Sequence, residues 1–148
     1  MDLQESLDEF YCCAALCDLR MMNKKLVDQS ITYSELLYLE LIYSLERMGK
    51  PCTASHIAEL LYLSKPPVRA KVNDLIRKGL LTKKTDPLDN RQYLLSINEE
   101  AIPKYRYHRK QDGLAIDKVM EQFAPEDIEK FCQMLKLITD VSFEERDP

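Results

Sequence analysis

Lys65, Arg69 and Asn73 recur at every fourth position of one segment, a spacing that sets three polar side chains along a single face if the segment is helical. Their types matter as much as their spacing. A guanidinium can donate a bidentate pair to guanine and a carboxamide can pair with adenine, each worth about 1–3 kcal/mol of discrimination between bases. Pro66, Ala70 and Arg77 fall on the same side, while Val68, Val72, Leu75 and Ile76 make one apolar stripe. Beyond that segment, Arg91 stands in a polar turn. A narrow, A·T-rich minor groove concentrates negative potential and favours an arginine of this kind.

Other chemistries are poorly served. Gly49, Gly79 and Gly113 are each isolated, so there is no Gly-rich phosphate loop, and no nucleophile has an evident base and orienting partner. The expectation is a protein that is not an enzyme. His56 and His108 are the only histidines and neither has a second ligand at a familiar spacing, so no metal or cofactor is expected. His56 is expected to face solvent or a phosphate, and His108 to lie on a solvated basic face. Five cysteines at irregular positions 12, 13, 17, 52 and 132 do not make a disulfide framework.

Charge is unevenly distributed. The formal net charge of the 148 residues is −4. Between Pro51 and Ile97 eight bases face only the acids Glu59, Asp74, Asp86 and Asp89, so this third carries roughly +4 and the flanks share about −8. A phosphate feels nearby charges more than the molecular total at physiological screening. With 45% apolar and 31% charged residues, the chain reads as one globular domain. No apolar run approaches the ~20 residues that span a bilayer, and the acidic start lacks a signal peptide's basic region. A cytoplasmic location without membrane contact is expected.

The elements that must position these residues follow from periodicity and caps. Apolar residues from Leu7 to about Val27 keep helical spacing. A second helix opens at Thr32 with Glu35 completing a capping box and closes at Gly49; it is apolar nearly all round and is expected to be buried. Thr53 caps a third helix that packs Ile57, Ala58, Leu60 and Leu61 inward. Ser64 caps a fourth that ends at Gly79. Leu80 to Lys84 and Tyr93 to Ile97 read as two strands joined by a polar turn. A further helix is expected from Asn98 to Gln122, with Pro103 near its first turns, and Pro125 opens the last. The fold class is therefore mainly α with a small β-wing, a winged helix-turn-helix over residues 31–98. Residues 1–30 and 99–148 supply flanking helices with more apolar surface than one small core can cover, which points to a second copy.

With this layout the chain resembles the MarR family of bacterial transcriptional regulators. The resemblance is carried by the run Leu63-Ser64-Lys65-Pro66-Pro67-Val68-Arg69-Ala70-Lys71-Val72-Asn73-Asp74-Leu75-Ile76-Arg77-Lys78-Gly79-Leu80 and by the wing Asp86-Pro87-Leu88-Asp89-Asn90-Arg91. Asp86, Asp89 and Arg91 fit the family's wing pattern, and Leu88 stands where a basic residue is usual. The resemblance implies that Lys65, Pro66, Arg69 and Asn73 face bases or phosphates and that Ser64 holds a phosphate. It makes Arg91 the minor-groove probe, with Asp89 as its support. It also implies a homodimer on a pseudo-palindromic duplex, acting as a repressor released by a small aromatic or anionic ligand. Tyr11, Met21, Met22, Tyr33, Leu37, Tyr38 and Met48 are the pocket-lining candidates, with plain core as the alternative for each.

Two alternatives remain open. In the organic-hydroperoxide-sensing branch of the family, an opening like Leu7-Asp8-Glu9-Phe10-Tyr11 precedes a reactive cysteine, which places Cys12 there. Tyr33 then resembles a tyrosine that hydrogen-bonds that thiol from the other subunit. Helical cysteines also serve as small buried hydrophobes. The second alternative is a winged-helix protein-interaction module that binds no DNA.

Overall fold

The computed structural model describes residues 1–23, 31–101 and 110–144. The expected end of the first helix at Val27, together with Pro103 and His108, lies outside the described residues. The chain divides into two compact units, Met1–Tyr105 and Arg106–Pro148.

The first unit opens with α1 (Leu3–Asn23), which buries no residue. Next comes α2 (Tyr33–Arg47), whose capping box forms as expected. The Glu35 amide donates to Thr32 Oγ1 at 3.2 Å and the Thr32 amide to Glu35 Oε2 at 3.0 Å. Burial on α2 is narrower than its composition implies. Leu36, Leu39, Ile42 and Leu45 are buried, Tyr38, Leu41 and Tyr43 are half-buried, and Leu37 is exposed. A single stripe at helical period faces the core, and Leu37 falls outside that stripe.

Thr53 caps α3 (Ala54–Leu60) by accepting from the His56 amide at 3.1 Å. Ile57 and Ala58 are buried, but Leu60 and Leu61 stay more than a third exposed. A helix of seven residues has one inward side, which Ile57 and Ala58 already occupy. Ser64 holds the extended N-cap conformation before α4 (Lys65–Arg77), yet its side chain makes no capping hydrogen bond. Pro66 and Pro67 sit in the first turn, where amides lack intrahelical partners and a proline costs little.

The hairpin pairs β1 (Leu81–Thr85) with β2 (Tyr93–Ile97) antiparallel, in the register Leu81↔Ile97 to Thr85↔Tyr93. The first strand starts one residue later than periodicity suggests. Leu80 is taken by the closure of α4, where its amide donates to the Leu75 carbonyl at 2.9 Å. The Leu95 amide reaches outside the hairpin to the Cys52 carbonyl at 2.8 Å. Leu81, Leu95 and Ile97 join Val68, Val72, Leu75 and the α2 stripe in one core. After β2 the expected helix start is a 3-10 turn, Glu99–Ala101, in which Asn98 Oδ1 accepts from the Glu100 amide at 3.2 Å.

The second unit contains α5 (Lys110–Gln122) and α6 (Pro125–Glu144). The Ala124 carbonyl accepts the Asp127 and Ile128 amides at 3.0 and 3.1 Å, so Pro125 lies in the first turn of α6 as its fixed φ favours. Leu114, Ile116, Met120, Phe131, Leu135 and Leu137 are all exposed.

Candidate nucleic-acid interface

Burial of Val68, Val72 and Leu75 fixes the rotation of α4 and turns Arg69 and Asn73 outward. The outward face meets the hairpin across an open groove of about 610 Å³, lined by Lys65, Arg69 and Asn73 from α4, Lys83 and Tyr93 from the strands, and Asp89, Arg91 and Gln92 from the turn. Five of the seven expected residues therefore share one concavity. Ser64 and Pro66 are exposed beside it without lining it. Four cations, Lys65, Arg69, Lys83 and Arg91, face one acid, Asp89, and a concave surface of one sign focuses field on an anion.

Lys83, Gln92 and Tyr93 join the groove without belonging to any motif in the sequence. The signal was strand alternation: Lys83 shares the face of buried Leu81 two residues nearer the tip, and Tyr93 shares that of Leu95. The Lys83 ammonium lies 4.6 Å from the centre of the Tyr93 ring, close enough for a cation–π contact.

Acid side chains organise the tip of the hairpin. Asp86 is 9% exposed; its Oδ1 accepts from the Leu88 amide at 2.9 Å and its own amide donates to the Gln92 carbonyl at 3.0 Å. Asp89 Oδ1 accepts from the Arg91 backbone amide at 3.0 Å. The bond from Asp89 thus fixes the arginine's backbone.

Not every base in this region points at the groove. Lys78 Nζ lies 2.8 Å from Glu35 Oε2 and 2.9 Å from Oε1, with the Glu35 side chain 5% exposed. Arg77 pairs with Asp74 at 2.8 Å. Burial acts to raise the Glu35 pKa, but the hydrogen bonds from Lys78 and the Thr32 amide and the charges of Lys78 and Lys71 outweigh it and hold the carboxyl below its ordinary value. This pair bolts the start of α2 to the end of α4.

The effector candidates lie elsewhere in the first unit. Tyr33 and Tyr38 line an apolar cleft of about 590 Å³ together with Met22, Ser34, Leu37, Leu41 and Leu61. Met21 packs partly against the core, and Met48 is exposed. Tyr33 donates its hydroxyl to Asp18 of the same chain. Burial, then that bond, pushes the phenol up to about 12. Tyr11 is exposed on α1 and packs edge-on against Phe10. Cys12, Cys13 and Cys17 are exposed. Desolvation and the neighbouring Cys13 raise the Cys17 pKa. Cys52 is buried, which pushes its thiol up to about 12. His56 is half-buried on α3, 4.0 Å from Glu59. Among the described residues no helix is long and apolar enough to cross a membrane.

Residues 30–92 match the MarR family model. Among solved structures, FabT of Streptococcus pneumoniae in complex with DNA is 17% identical with a TM-score of 0.61, over 96% of this chain and 96% of that one. A MepR mutant from a multidrug-resistant S. aureus clinical isolate is 18% identical with a TM-score of 0.66, over 89% and 96%. Wild-type apo MarR from E. coli is 16% identical with a TM-score of 0.55, over 93% and 96%. Among curated proteins none matches. The structural likenesses establish the fold, a MarR-type winged helix.

Proposed function

Residues 30–92 being a MarR-family winged helix, we propose that the chain is a sequence-specific regulator of transcription that binds double-stranded DNA as a homodimer. The observation that carries this reading is the groove in which Lys65, Arg69, Asn73, Lys83 and Arg91 converge. α4 enters the major groove, where Arg69 and Asn73 address base edges. The hairpin reaches the flanking minor groove with Arg91, and Ser64, Lys65 and Pro66 at the start of α4 meet the backbone. FabT, in complex with DNA in its solved structure, supports the partner class.

Exposed apolar side chains on α1, α5 and α6, among them Phe10, Leu19, Ile116 and Leu137, support pairing with a second copy. The dimer presents two α4 helices to half-sites about 34 Å apart on a pseudo-palindromic operator, and represses by excluding polymerase. A small aromatic or anionic ligand in the cleft beside Tyr33 and Tyr38 releases it, since that cleft is apolar with a few hydroxyls to orient a guest.

The test is to select duplexes from a random pool with the full-length protein and compare Arg69→Ala and Arg91→Ala with the parent on the retained sequence. Each variant is expected to bind about tenfold or more weakly with unchanged fold. Equal binding by both would remove this groove as the reading surface.

A further inference from the structure

Leu88 is the most exposed large apolar side chain among the described residues, at 95%. Single exposed leucines are ordinary on protein surfaces, but this one is held in place. Pro87 precedes it with a fixed φ, and its amide is tied to the carboxylate of buried Asp86. The Asp86 carbonyl accepts the Asp89 amide at 3.3 Å, and the Gln92 amide returns to the Asp89 carbonyl at 3.2 Å. Arg91 is fixed through its own amide on Asp89. Leu88 and Arg91 are therefore two projections of one hydrogen-bonded tip, one apolar and one cationic.

We propose that Leu88 enters the minor groove beside Arg91 and is a specificity-determining residue that disfavours G·C pairs under the hairpin. The inference rests on the DNA-binding reading above and deepens it. A·T pairs present only acceptors in the minor groove, whereas guanine adds a 2-amino donor. A leucine packed on the sugar walls and floor leaves an A·T step satisfied by Arg91. The same leucine over guanine strips water from a donor that it cannot replace, a desolvation without a compensating bond. In other minor-groove-binding proteins polar side chains read the groove's composition and apolar side chains press into its base steps, so both kinds of projection have a place in that groove.

The test uses the full-length protein and a duplex that it selects from a random pool, remade with A·T, G·C or inosine·C pairs beneath the hairpin. Inosine·C keeps the major-groove face of G·C but lacks the 2-amino group. The parent should bind the G·C duplex about tenfold more weakly than the A·T duplex, and the inosine·C duplex should restore most of the loss. Leu88→Ala should shrink the A·T over G·C ratio several-fold without changing the salt dependence. Leu88→Lys should steepen that dependence by about one phosphate contact while also flattening the ratio. An A·T over G·C ratio unchanged in Leu88→Ala, or an inosine·C duplex as poor as G·C, overturns the proposal while leaving DNA binding intact. Failure to retain any duplex from the pool overturns the DNA reading and this inference with it.

Discussion

Arg69 and Lys78 carry the same charge nine residues apart, yet only Arg69 faces the groove, while Lys78 is bonded to Glu35. The difference shows what a sequence discloses at the scale of single residues. The outward phase of Lys65, Arg69 and Asn73 is local, set by the apolar stripe on the same helix, and was legible. The partner of Lys78 lies 43 residues away, and no local pattern announces it. Glu35 read as a capping residue only; in the structure it caps α2 and also holds the end of α4. This double role has a pH signature. The folded-state pKa of Glu35 is lowered, so its contribution to stability is fully present above the unfolded value of about 4.3 and is lost as pH falls through the folded value. Glu35→Gln keeps a side chain able to serve the capping box but removes the charge. In chemical denaturation it should lose about 1–2 kcal/mol at pH 7, and its gap to the parent should close below pH ~4. A gap that is constant with pH would show that the ion pair contributes nothing.

Three successive helices end in the same way. At the ends of α2, α3 and α4 the residue after the C-cap has positive φ (Gly49 at 65°, Tyr62 at 54°, Gly79 at 74°). The following amide reaches back to Leu45, Ala58 and Leu75 carbonyls respectively, at 3.0, 2.9 and 2.9 Å. The two glycine closures were legible, since glycine takes this conformation without steric cost. Tyr62 takes the same conformation although no residue-type signal in the sequence marks it. A left-handed tyrosine costs about 1–2 kcal/mol. Tyr62→Gly is expected to raise stability by about 1 kcal/mol, read as a higher denaturation midpoint; a lower midpoint would mean that the ring contributes more than the strain removes. Strand alternation located the hairpin to within a residue, and α4's closure accounts for the residue by which it missed. The composition of α2 overstated its burial, because a run of apolar residues does not say how many sides of a helix find a partner.

For the molecule as a whole, the central basic segment between acidic flanks was visible in the order of charges, and its convergence into a groove needed only the phase of α4 and the register of the hairpin. How the flanking helices are covered was less legible, since exposed apolar faces point to a partner without naming it. Pairing with a second copy predicts a dimer in sedimentation at micromolar concentration. Leu137→Glu, on a side chain 65% exposed in the single chain, should shift it toward monomer while leaving helical content unchanged. A dimer unaltered by that change would move the interface off this face of α6. Loss of the dimer should also weaken operator binding, because each protomer then holds one half-site alone.

The most direct test of the account is a titration of the full-length protein against its selected duplex at several salt concentrations, with unrelated duplex as competitor. Competitor-resistant binding that weakens steeply as salt rises is expected, because Lys65, Lys83 and Arg91 neutralise several phosphates and their condensed counterions are released into solution. Binding that is absent at low salt, or equal for both duplexes, would contradict the assignment of this groove to the reading of DNA.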